Sequence, residues 1–453
     1  MFHKILIANR GEIAVRIIRT CMYMGIETVA IYSEADRESL HVQLADEAIC
    51  VGGFRSKDSY LNMENIISAA INTGAEAIHP GFGFLSENPE FAQLCEDCGI
   101  IFIGPKSEHI KQMGNKSWAI KKMIEAGVPV IPGSEGVVKS AAAAIAIADK
   151  IGYPVLIKAS AGGGGRGMRI AHDVSSLKSA FETAKSEAIN AFGDGALYLE
   201  KYLENPRHIE FQVLCDKYDN IVHLYQRDCS IQRRNQKIIE EAPGTIDEAL
   251  QKRMIEATIK ACKSIKYENA GTVEFLVSGN DFYFIEMNTR IQVEHPITEM
   301  ILGKDIVKEQ IKIASGERLS FNQSDLIING YSIECRINAE NPKEQFQPSP
   351  GKIKLLHIPS GNGIRFDSLL YPECVIQPYY DSMIGKLIVH GENRDEAIKK
   401  MRSALEELVI HGIHTNQMFL YMIMNNPDYL KGNFDTSFIQ LKLERLLEYD
   451  EDE

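Results

Sequence analysis

The first hundred residues alternate short apolar runs with stretches of helical periodicity. Residues 4–8 read Lys-Ile-Leu-Ile-Ala, an apolar-periodic stretch extends through Cys21 after a polar turn, and a second apolar run follows at 28–32. Short apolar runs bounded by turn residues are typical of buried strands, and a 3.6-residue period indicates an amphipathic helix. Similar runs at 77–79 and 100–103 continue the alternation. We therefore predict a βαβ start and a doubly wound parallel sheet over residues 1–115.

The turn after the first strand argues against a dinucleotide cofactor in this sheet. Residues 9–12 read Asn-Arg-Gly-Glu and contain a single glycine. The pyrophosphate-binding fingerprint of such sheets needs three glycines. We therefore do not expect NAD binding here.

The rest of the chain divides by composition into four further segments. Residues 116–133 contain a predicted helix near 117–126 and a linker interrupted by Pro129 and Pro132. For residues 134–203 we predict a compact α+β segment around a glycine cluster. Residues 204–446 predict strands, a β-rich section at 330–389 and helices from Asp395 onward, and residues 447–453 form an acidic tail. The expected fold class is α/β combined with α+β.

Composition indicates a globular protein of several domains. Hydrophobic residues make up 45% of the 453 positions and charged residues 25%, which excludes disordered and fibrous classes. A net charge of −13 argues against binding nucleic acid or an anionic membrane. No apolar run reaches the roughly 20 residues that span a bilayer, and we find no signal-peptide pattern. With nine scattered cysteines and no disulfide framework, we expect a cytoplasmic protein.

A glycine-rich loop at 162–167 lies between two predicted strands, at 154–158 and 168–171. A Rossmann fingerprint needs a helix directly after the glycines, and a Walker loop needs Lys-Ser/Thr after the last one, so neither motif fits. A glycine-rich flap can close its bare N–H groups over phosphate oxygens, and Lys158 at its base supplies positive charge. The alternative is a loose surface hairpin.

Residues 282–295 carry the most informative pattern. The even positions Glu286, Asn288, Arg290, Gln292 and Glu294 are polar, whereas the odd positions are mostly apolar. In one extended strand all five side chains lie on the same face, and eight steps of roughly 3.3 Å cover about 26 Å. We predict such a strand, with a metal at one end and a second substrate at the other. The alternative is an amphipathic surface strand.

A metal site is indicated at the start of this stretch. Glu286 and Asn288 are hard oxygen donors, and Glu274 on a neighbouring predicted strand offers a third. Two carboxylates and an amide, without cysteine or paired histidine, suit Mg²⁺ or Mn²⁺ rather than zinc. The sequence therefore predicts a metal that bridges nucleotide phosphates.

These features together resemble a known family. Lys116, Lys158, the glycine flap, the run 200–203 and the three candidate metal ligands resemble the ATP-grasp superfamily. Longer motifs, distributed from residue 4 to about 440, look like biotin carboxylase: 9–14, 79–88, 207–210, 227–230, 286–295 and 334–338. The resemblance implies an ATP-grasp lid at 134–203 and a C-terminal ATP-grasp and biotin carboxylase region at 204–446. It also implies an enzyme that carboxylates biotin with ATP and bicarbonate through carboxyphosphate.

The resemblance implies a role for each matching residue. ATP phosphates would be held by Lys116, Lys158, Gly163, Gly164, Gly165 and Gly167. The adenine would meet Glu200, Lys201 and Leu203, and the ribose would lie near His208 and Gln232. The metal would be ligated by Glu274, Glu286 and Asn288, and bicarbonate surrounded by Lys237, Arg290, Gln292 and Val293. Glu294 would be the base, and Arg336 would contact the ureido oxygen of biotin.

The chemistry explains why these residue types are needed. Bicarbonate is a weak nucleophile that attacks a negative phosphate, so cations must neutralise charge while a carboxylate takes the proton. The ureido nitrogen of biotin is weakly acidic and needs both a base and stabilisation of charge on its oxygen. In the family picture the released phosphate is that base and Arg336 the stabiliser. Taken alone, Arg336 would be interpreted as a structural ion-pair partner.

The basic stretch 227–237 predicts an anion-substrate loop rather than a nucleic-acid patch, because Asp and Gln are mixed into it. Two positions depart from the family pattern. Asn235 stands where several relatives carry His, at a position that the resemblance assigns to nucleotide binding, and Ala161 shortens the glycine run.

Partners and acceptor are less determined. The sequence contains no Ala/Val-Met-Lys-Met turn for attaching biotin, so we expect biotin to arrive on a separate biotin carboxyl carrier protein and to be used by carboxyltransferase subunits. Acetyl-CoA, another acyl-CoA and pyruvate stay open as acceptors, with an acetyl-CoA carboxylase of fatty-acid synthesis as the default. The resemblance implies a homodimer through Arg16, Arg19 and Arg365. The alternatives are an ATP-grasp ligase with an amine acceptor and a nucleotide-sensing regulatory protein without chemistry.

Overall fold

The computed structural model describes residues 1–159, 168–192 and 195–448. The flap glycines Gly163, Gly164, Gly165 and Gly167 lie outside the described residues, as do residues 449–453 of the acidic tail. Within the described ranges, every helix is too short or too polar to cross a membrane.

The N-terminal region is a five-stranded parallel sheet in the order β3-β2-β1-β4-β5. Its strands are β1 Lys4–Ile7, β2 Glu27–Ser33, β3 Glu47–Gly52, β4 Ala77–His79 and β5 Ile101–Phe102. Its helices are α1 Gly11–Met24, α2 Leu40–Leu44, α3 Met63–Thr73, α4 Pro89–Asp97 and α5 Ser107–Gly114. Ile5 and Ile7 pack in one apolar cluster with α1, whereas Leu6 packs in another with α3. Helices therefore cover both faces of the sheet, and successive side chains of β1 are buried on opposite faces. The predicted doubly wound sheet is confirmed.

A small antiparallel sheet follows, in the order β7-β6-β8. Its elements are α6 Lys116–Glu125, α7 Ala141–Ile151, β6 Val155–Ala159, β7 Met168–Ala171, α8 Val174–Phe192 and β8 Leu197–Lys201. Strands β6 and β7 are antiparallel neighbours, with Lys158 opposite Met168. The strand, loop, strand arrangement predicted around the glycines is therefore confirmed for the two strands.

An eight-stranded antiparallel sheet forms the largest layer, in the order β13-β12-β9-β10-β11-β14-β21-β19. Its strands are β9 Arg207–Cys215, β10 Ile221–Arg233, β11 Gln236–Ala242, β12 Asn269–Ser278, β13 Asp281–Asn288, β14 Tyr331–Asn338, β19 Ile364–Ser368 and β21 Met383–Gly391. Short pairs surround it: β15 Glu340–Asn341 with β16 Gln347–Pro348, β17 Gly351–Lys352 with β20 Val375–Ile376, and β18 Leu355–His357 with β22 Val409–His411. The helices of this region are α9 Glu248–Ile265, α10 His295–Leu302, α11 Ile306–Ala314, α12 Arg394–Glu407, α13 Gln417–Met424, α14 Pro427–Leu430 and α15 Phe438–Leu446.

The prediction of one extended strand over residues 286–294 is wrong beyond Asn288. Strand β13 ends there, and helix α10 begins at His295. The backbone N–H of Thr289 donates to Glu87 Oε1 at 3.1 Å, and Arg290 Nε donates to Glu87 Oε2 at 2.9 Å. A carboxylate from the N-terminal region thus binds the first amide beyond the strand, and the chain turns over the end of the sheet.

Residues 227–237, predicted to form an anion-substrate loop, form a β-hairpin, and their contact with an anionic substrate stays a prediction. Residues 227–233 belong to β10 and residues 236–237 to β11, which leaves a two-residue turn. Arg234 and Asn235 in that turn have φ angles of 50° and 63°, a left-handed conformation that asparagine tolerates well. Burial on both faces of β10 accounts for the strand, because residues 226–231 are all buried between the neighbouring strands β9 and β11.

Candidate active site

A cavity of about 950 Å³ lies between the N-terminal sheet and the eight-stranded sheet. Its walls come from the turn around Arg10, from residues 82–84, from the large sheet and from the segment 379–383. Most of the site residues singled out from the sequence line it: His208, Gln232, Asn235, Lys237, Glu274, Glu286, Asn288, Arg290, Gln292, Val293, Glu294 and Arg336. The bend after β13 therefore brings the even-numbered residues 286–294 into one cavity, although they do not share one strand.

Lys237 lies at the centre of three carboxylates in this cavity. Its Nζ is 2.6 Å from Glu210 Oε2, 2.8 Å from Glu274 Oε1 and 2.7 Å from Glu294 Oε1. Burial favours the neutral amine, but the three carboxylates outweigh burial and hold the lysine pKa well above its usual value. Lys237 is thus a fixed positive charge.

Glu294 is buried and ionised. Burial opposes its ionisation, yet Lys237, Arg336 and Arg227 outweigh that effect and hold its pKa well below the usual value. One oxygen faces Lys237, and the other is 3.0 Å from Arg336 Nη2. A carboxylate held unprotonated between two cations is available to accept a proton from a bound substrate.

Arg336 on β14 connects Glu294 to a second buried carboxylate. Its Nε donates to Glu240 Oε1 at 2.6 Å. Burial raises the pKa of Glu240 to about 7, although Arg336 acts in the opposite direction. The interpretation of Arg336 as an ion-pair partner is therefore correct, but the same side chain also faces the cavity.

The candidate metal ligands converge where β12 and β13 pair. Glu274 and Glu286 are directly opposite in register, and Asn288 Nδ2 donates to Glu274 Oε1 at 2.7 Å. Burial and the charge of Glu274 raise the pKa of Glu286, an effect that Lys116 partly offsets. Two adjacent carboxylates whose charges repel, with an amide beside them, fit a hard divalent cation. His208, Glu210 and Glu274 also group closely, and Glu274 is common to both groups. Lys237 pairs with Glu210 and Glu274, so a cation at either group would share Glu274 with Lys237.

The remaining nucleotide candidates lie apart from the cavity walls in the described part of the chain. Lys116 is exposed at the start of α6, and Leu203 is half-buried just after β8. Lys158 Nζ pairs with Glu200 Oε2 at 2.6 Å across β6 and β8. Lys201 Nζ donates to the carbonyl groups of Gly152 at 3.1 Å and Tyr153 at 2.6 Å. The small sheet therefore holds Lys158, Glu200 and Lys201 as a separate group, whereas Lys116 is close enough to Glu286 to offset part of the rise in its pKa.

The ribose candidates do reach the cavity. Gln232 Nε2 lies 2.8 Å from His208 Nδ1, and His208 Nε2 lies 2.8 Å from Glu274 Oε2. Asn235 lines the cavity from the exposed turn of the hairpin. One chain of contacts therefore links the candidate ribose residues to the candidate metal ligand Glu274.

Sequence reasoning assigned no role to Arg227, the largest fully buried side chain of the described residues. Its guanidinium donates to Glu210 Oε1 at 2.6 Å, to Gln212 Oε1 at 2.9 Å and to Gln292 Oε1 at 2.7 Å. It thereby holds Gln292 and the carboxylate that faces Lys237. The polar residues at positions 208, 210 and 212 could have indicated a buried cation nearby, because these positions share one face of β9.

We expect Arg227→Met to destabilise the protein more than any exposed arginine change. Removing one partner of a buried ion pair costs about 3–5 kcal/mol, because Glu210 would be left without this cation. Arg253→Met is the matched control, since its ion pair with Asp281 is 3.8 Å long and more than half exposed, and we expect about 1 kcal/mol or less. Denaturant unfolding followed by circular dichroism measures both. Equal losses would contradict the role assigned to Arg227.

Comparisons with known proteins cover nearly the whole chain. Three family models match: "Biotin carboxylase, N-terminal domain" over residues 1–110, "Carbamoyl-phosphate synthase L chain, ATP binding domain" over 115–322 and "Biotin carboxylase C-terminal domain" over 334–441. Biotin carboxylase 1 of Bacillus subtilis is 53% identical over 443 residues, covering 97% of this chain and 98% of the relative. A pyruvate carboxylase subunit of Methanothermobacter thermautotrophicus is 55% identical over 440 residues, covering 97% and 90%.

A solved structure agrees with these matches. The biotin carboxylase domain dimer of Hydrogenobacter thermophilus 2-oxoglutarate carboxylase, crystallised with MgADP, ADP and bicarbonate, has 52% identity and a TM-score of 0.92, with complete coverage of both chains. The fold and the cavity define an ATP-dependent ligase of the ATP-grasp class. Within that class, the chain belongs to the biotin carboxylase family, whose members carboxylate biotin at the expense of ATP.

Proposed function

We propose that this chain catalyses the first half-reaction of an acetyl-CoA carboxylase in fatty-acid synthesis. It carboxylates biotin on a separate carrier protein, using bicarbonate and ATP through carboxyphosphate. The observation that carries the carboxylation chemistry of this proposal is the buried Glu294 carboxylate, held between Lys237 at 2.7 Å and Arg336 at 3.0 Å. A base between these two cations suits an anionic nucleophile on one side and a developing oxyanion on the other.

In the first step, Glu294 takes the bicarbonate proton while a bicarbonate oxygen attacks the terminal phosphorus of ATP. The bond to ADP breaks, and carboxyphosphate forms. Lys237, Arg290, Gln292 and the backbone at Val293 surround the anion. Lys237 suits this task because three carboxylates keep it charged, and Gln292 is held in place by Arg227. Positioning and charge neutralisation supply most of the acceleration in such phosphoryl transfers.

In the second step, carboxyphosphate releases carbon dioxide and phosphate, and the phosphate takes the ureido proton of biotin. The ureido nitrogen then attacks carbon dioxide. Arg336 donates to the ureido oxygen, on which negative charge develops. Its second carboxylate, Glu240 at 2.6 Å, supports the guanidinium in the geometry that this donation needs.

The nucleotide lies between the small sheet and the cavity in this proposal. Lys116, Lys158 and the flap glycines hold the phosphates, while Glu200, Lys201 and Leu203 meet the adenine. His208 and Gln232 meet the ribose, and Asn235 adds a contact. Lys158 must exchange its 2.6 Å pair with Glu200 for a phosphate oxygen, so ATP competes with an existing ion pair.

In this proposal Glu274, Glu286 and Asn288 would hold Mg²⁺ or Mn²⁺, and the cation would neutralise charge on the nucleotide phosphates. Glu286→Gln should raise the Mg²⁺ concentration for half-maximal activity at least about tenfold, because even indirect partners of metal ligands contribute that much. A metal titration of ATP hydrolysis measures the change. Glu268→Gln is the control, since Glu268 pairs with Lys106 at 2.6 Å and is outside the proposed ligand set. An unchanged titration for Glu286→Gln would remove it from that set.

The acceptor has a second candidate. Chains of a pyruvate carboxylase and of a 2-oxoglutarate carboxylase are about as similar to this chain as the biotin carboxylases, which supports a 2-oxo acid acceptor. Labelled bicarbonate, a biotinylated carrier and a carboxyltransferase that co-purifies with this chain would decide between them. Transfer of label to acetyl-CoA supports the proposal, and transfer to pyruvate or 2-oxoglutarate replaces it with the second candidate.

In this proposal the domains of the chain are the segments 1–115, 116–133, 134–203, 204–446 and 447–453.

The proposal also includes a cytoplasmic homodimer that forms through Arg16, Arg19 and Arg365. Arg16 and Arg365 both bind Glu299, each at 2.8 Å, and Arg19 lies half-buried on the same helix as Arg16. The relative crystallised as a dimer supports self-association. Light scattering coupled to gel filtration tests it, and a monomer at assay concentrations would contradict it.

A further inference from the structure

Lys386 on β21 is a fully buried lysine whose ammonium has two partners. It donates to the carbonyl oxygen of Val293 at 2.9 Å, and it lies 3.1 Å from Glu12 Oε1 at the start of α1. Its relative exposure is 0%. Burying an ammonium costs several kcal/mol, and an apolar side chain of similar volume often gives an equally stable protein. Its ion pair with Glu12 does not account for the contact with Val293.

The sheet register places Lys386 directly opposite Arg336 on the neighbouring strand β14. Two like charges facing each other across a strand pair are destabilising. Each therefore has its own carboxylate, Glu240 for Arg336 and Glu12 for Lys386. Both cations also contact the adjacent residues Val293 and Glu294. Arg336 binds the Glu294 side chain, and Lys386 donates to the Val293 carbonyl just before it.

The backbone between β13 and α10 depends on such contacts. Residues 289–294 follow the last residue of β13 and precede α10, so they have no strand ladder or helix to fix them. Glu87 accepts from the N–H of Thr289 at one end, and Lys386 donates to Val293 at the other. Because Val293 and Glu294 share a peptide unit, a displaced Val293 carbonyl moves the Glu294 carboxylate with it.

We propose that Lys386 is a positioning residue for carboxylation. Its buried ammonium fixes the peptide unit between Val293 and Glu294 and so holds the Glu294 carboxylate against Lys237 and Arg336. The inference rests on the proposed role of Glu294 as the base. Lys386 itself acts through the backbone and does not touch substrate.

The first test is Lys386→Met, which keeps the volume and removes the donor. We expect kcat for bicarbonate-dependent ATP hydrolysis to fall about 10- to 100-fold, because small displacements of a reacting group cost that much. The KM for MgATP should change by less than about threefold, since the nucleotide contacts are unaffected. Lys400→Met is the matched control, because Lys400 also binds a carbonyl, that of His390 at 2.6 Å, and a glutamate, Glu396 at 3.4 Å. An unchanged kcat for Lys386→Met overturns the proposal.

The double variant Glu12→Gln/Lys386→Met separates positioning from stability. It removes both charges, so the melting temperature should recover relative to the single variant, whereas kcat should stay low. If kcat recovers together with the melting temperature, Lys386 only neutralises Glu12 and the proposal fails. If Lys386→Met does not fold, the double variant alone decides by the same criterion.

Glu294→Gln is assayed in parallel to distinguish this inference from the proposed function. If Glu294→Gln keeps wild-type activity, the proposed base is wrong and the inference fails with it. If Glu294→Gln is inactive while both Lys386 variants are fully active, only the role of Lys386 is refuted.

Discussion

Glu294→Gln is expected to lose bicarbonate-dependent ATP hydrolysis by about 10²- to 10⁴-fold, the usual contribution of a positioned base. The amide keeps nearly the same shape but cannot accept the bicarbonate proton. Lys237 and Arg336 would also lose a charged partner, so the base and its electrostatic setting change together. Steady-state phosphate release with saturating MgATP and varied bicarbonate measures the effect.

Glu309→Gln is the matched control for Glu294→Gln. Glu309 is also a buried glutamate, but it lies on α11 and accepts from Ser320 Oγ at 2.7 Å. We expect its kcat to stay within about threefold of wild type, because Glu309 does not line the cavity. Equal losses for both variants would assign the effect of Glu294→Gln to general destabilisation.

Arg336→Lys is expected to separate the two half-steps of the reaction. Lysine keeps the positive charge near Glu294, so bicarbonate-dependent ATP hydrolysis without biotin should stay within about tenfold of wild type. Carboxybiotin formation should fall about 10²- to 10³-fold, the usual cost of losing an oxyanion donor. Phosphate release and labelled carboxybiotin, measured on the same samples with free biotin, give the two rates.

Arg394→Lys is the control for Arg336→Lys, because each arginine pairs with a buried glutamate of β11. Arg336 pairs with Glu240, and Arg394 pairs with the next residue, Glu241. Arg394 binds Glu241 through Nε at 2.8 Å and Nη2 at 2.9 Å, much as Arg336 binds Glu240, but it does not line the cavity. Both half-steps should be retained in Arg394→Lys. A parallel loss of both half-steps in Arg336→Lys would contradict a role specific to biotin.

Local sequence patterns were sufficient to predict those strands whose formation depends on their own residues. The alternation of Ile5, Leu6 and Ile7 between two apolar clusters follows from a period of two in a sheet that is covered on both faces. The strands on each side of the glycines were predictable in the same way. So were the positions of Glu274 and Glu286, whose opposition needs only two adjacent strands.

Long-range contacts decided what the sequence pattern missed. Strand β13 ends at Asn288 because Glu87, 202 positions away, binds the next amide. The buried pairs of Arg227 with Glu210 and of Lys386 with Glu12 connect residues whose relation depends on the completed fold. Periodicity along one strand carries no information about a partner supplied by another region.

The nucleotide residues illustrate a different limit. Lys158 and Glu200 were both singled out as ATP contacts, yet they bind each other at 2.6 Å. A motif indicates which residues share a task, but it does not show which partner each residue holds before a ligand arrives. In the register of β6 and β8, Glu200 lies opposite Leu156 and Tyr198 lies opposite Lys158. Lys158 and Glu200 are therefore diagonal neighbours on one face of the sheet, close enough for their long side chains to form the ion pair.

The most direct test of biotin carboxylation is carboxyl transfer from labelled bicarbonate to biotin by the wild-type chain with MgATP. We expect label to appear in carboxybiotin, phosphate release to require bicarbonate, and biotin to increase the rate. ATP hydrolysis that is indifferent to both biotin and bicarbonate, or label recovered on an amine, would contradict biotin carboxylation by this chain.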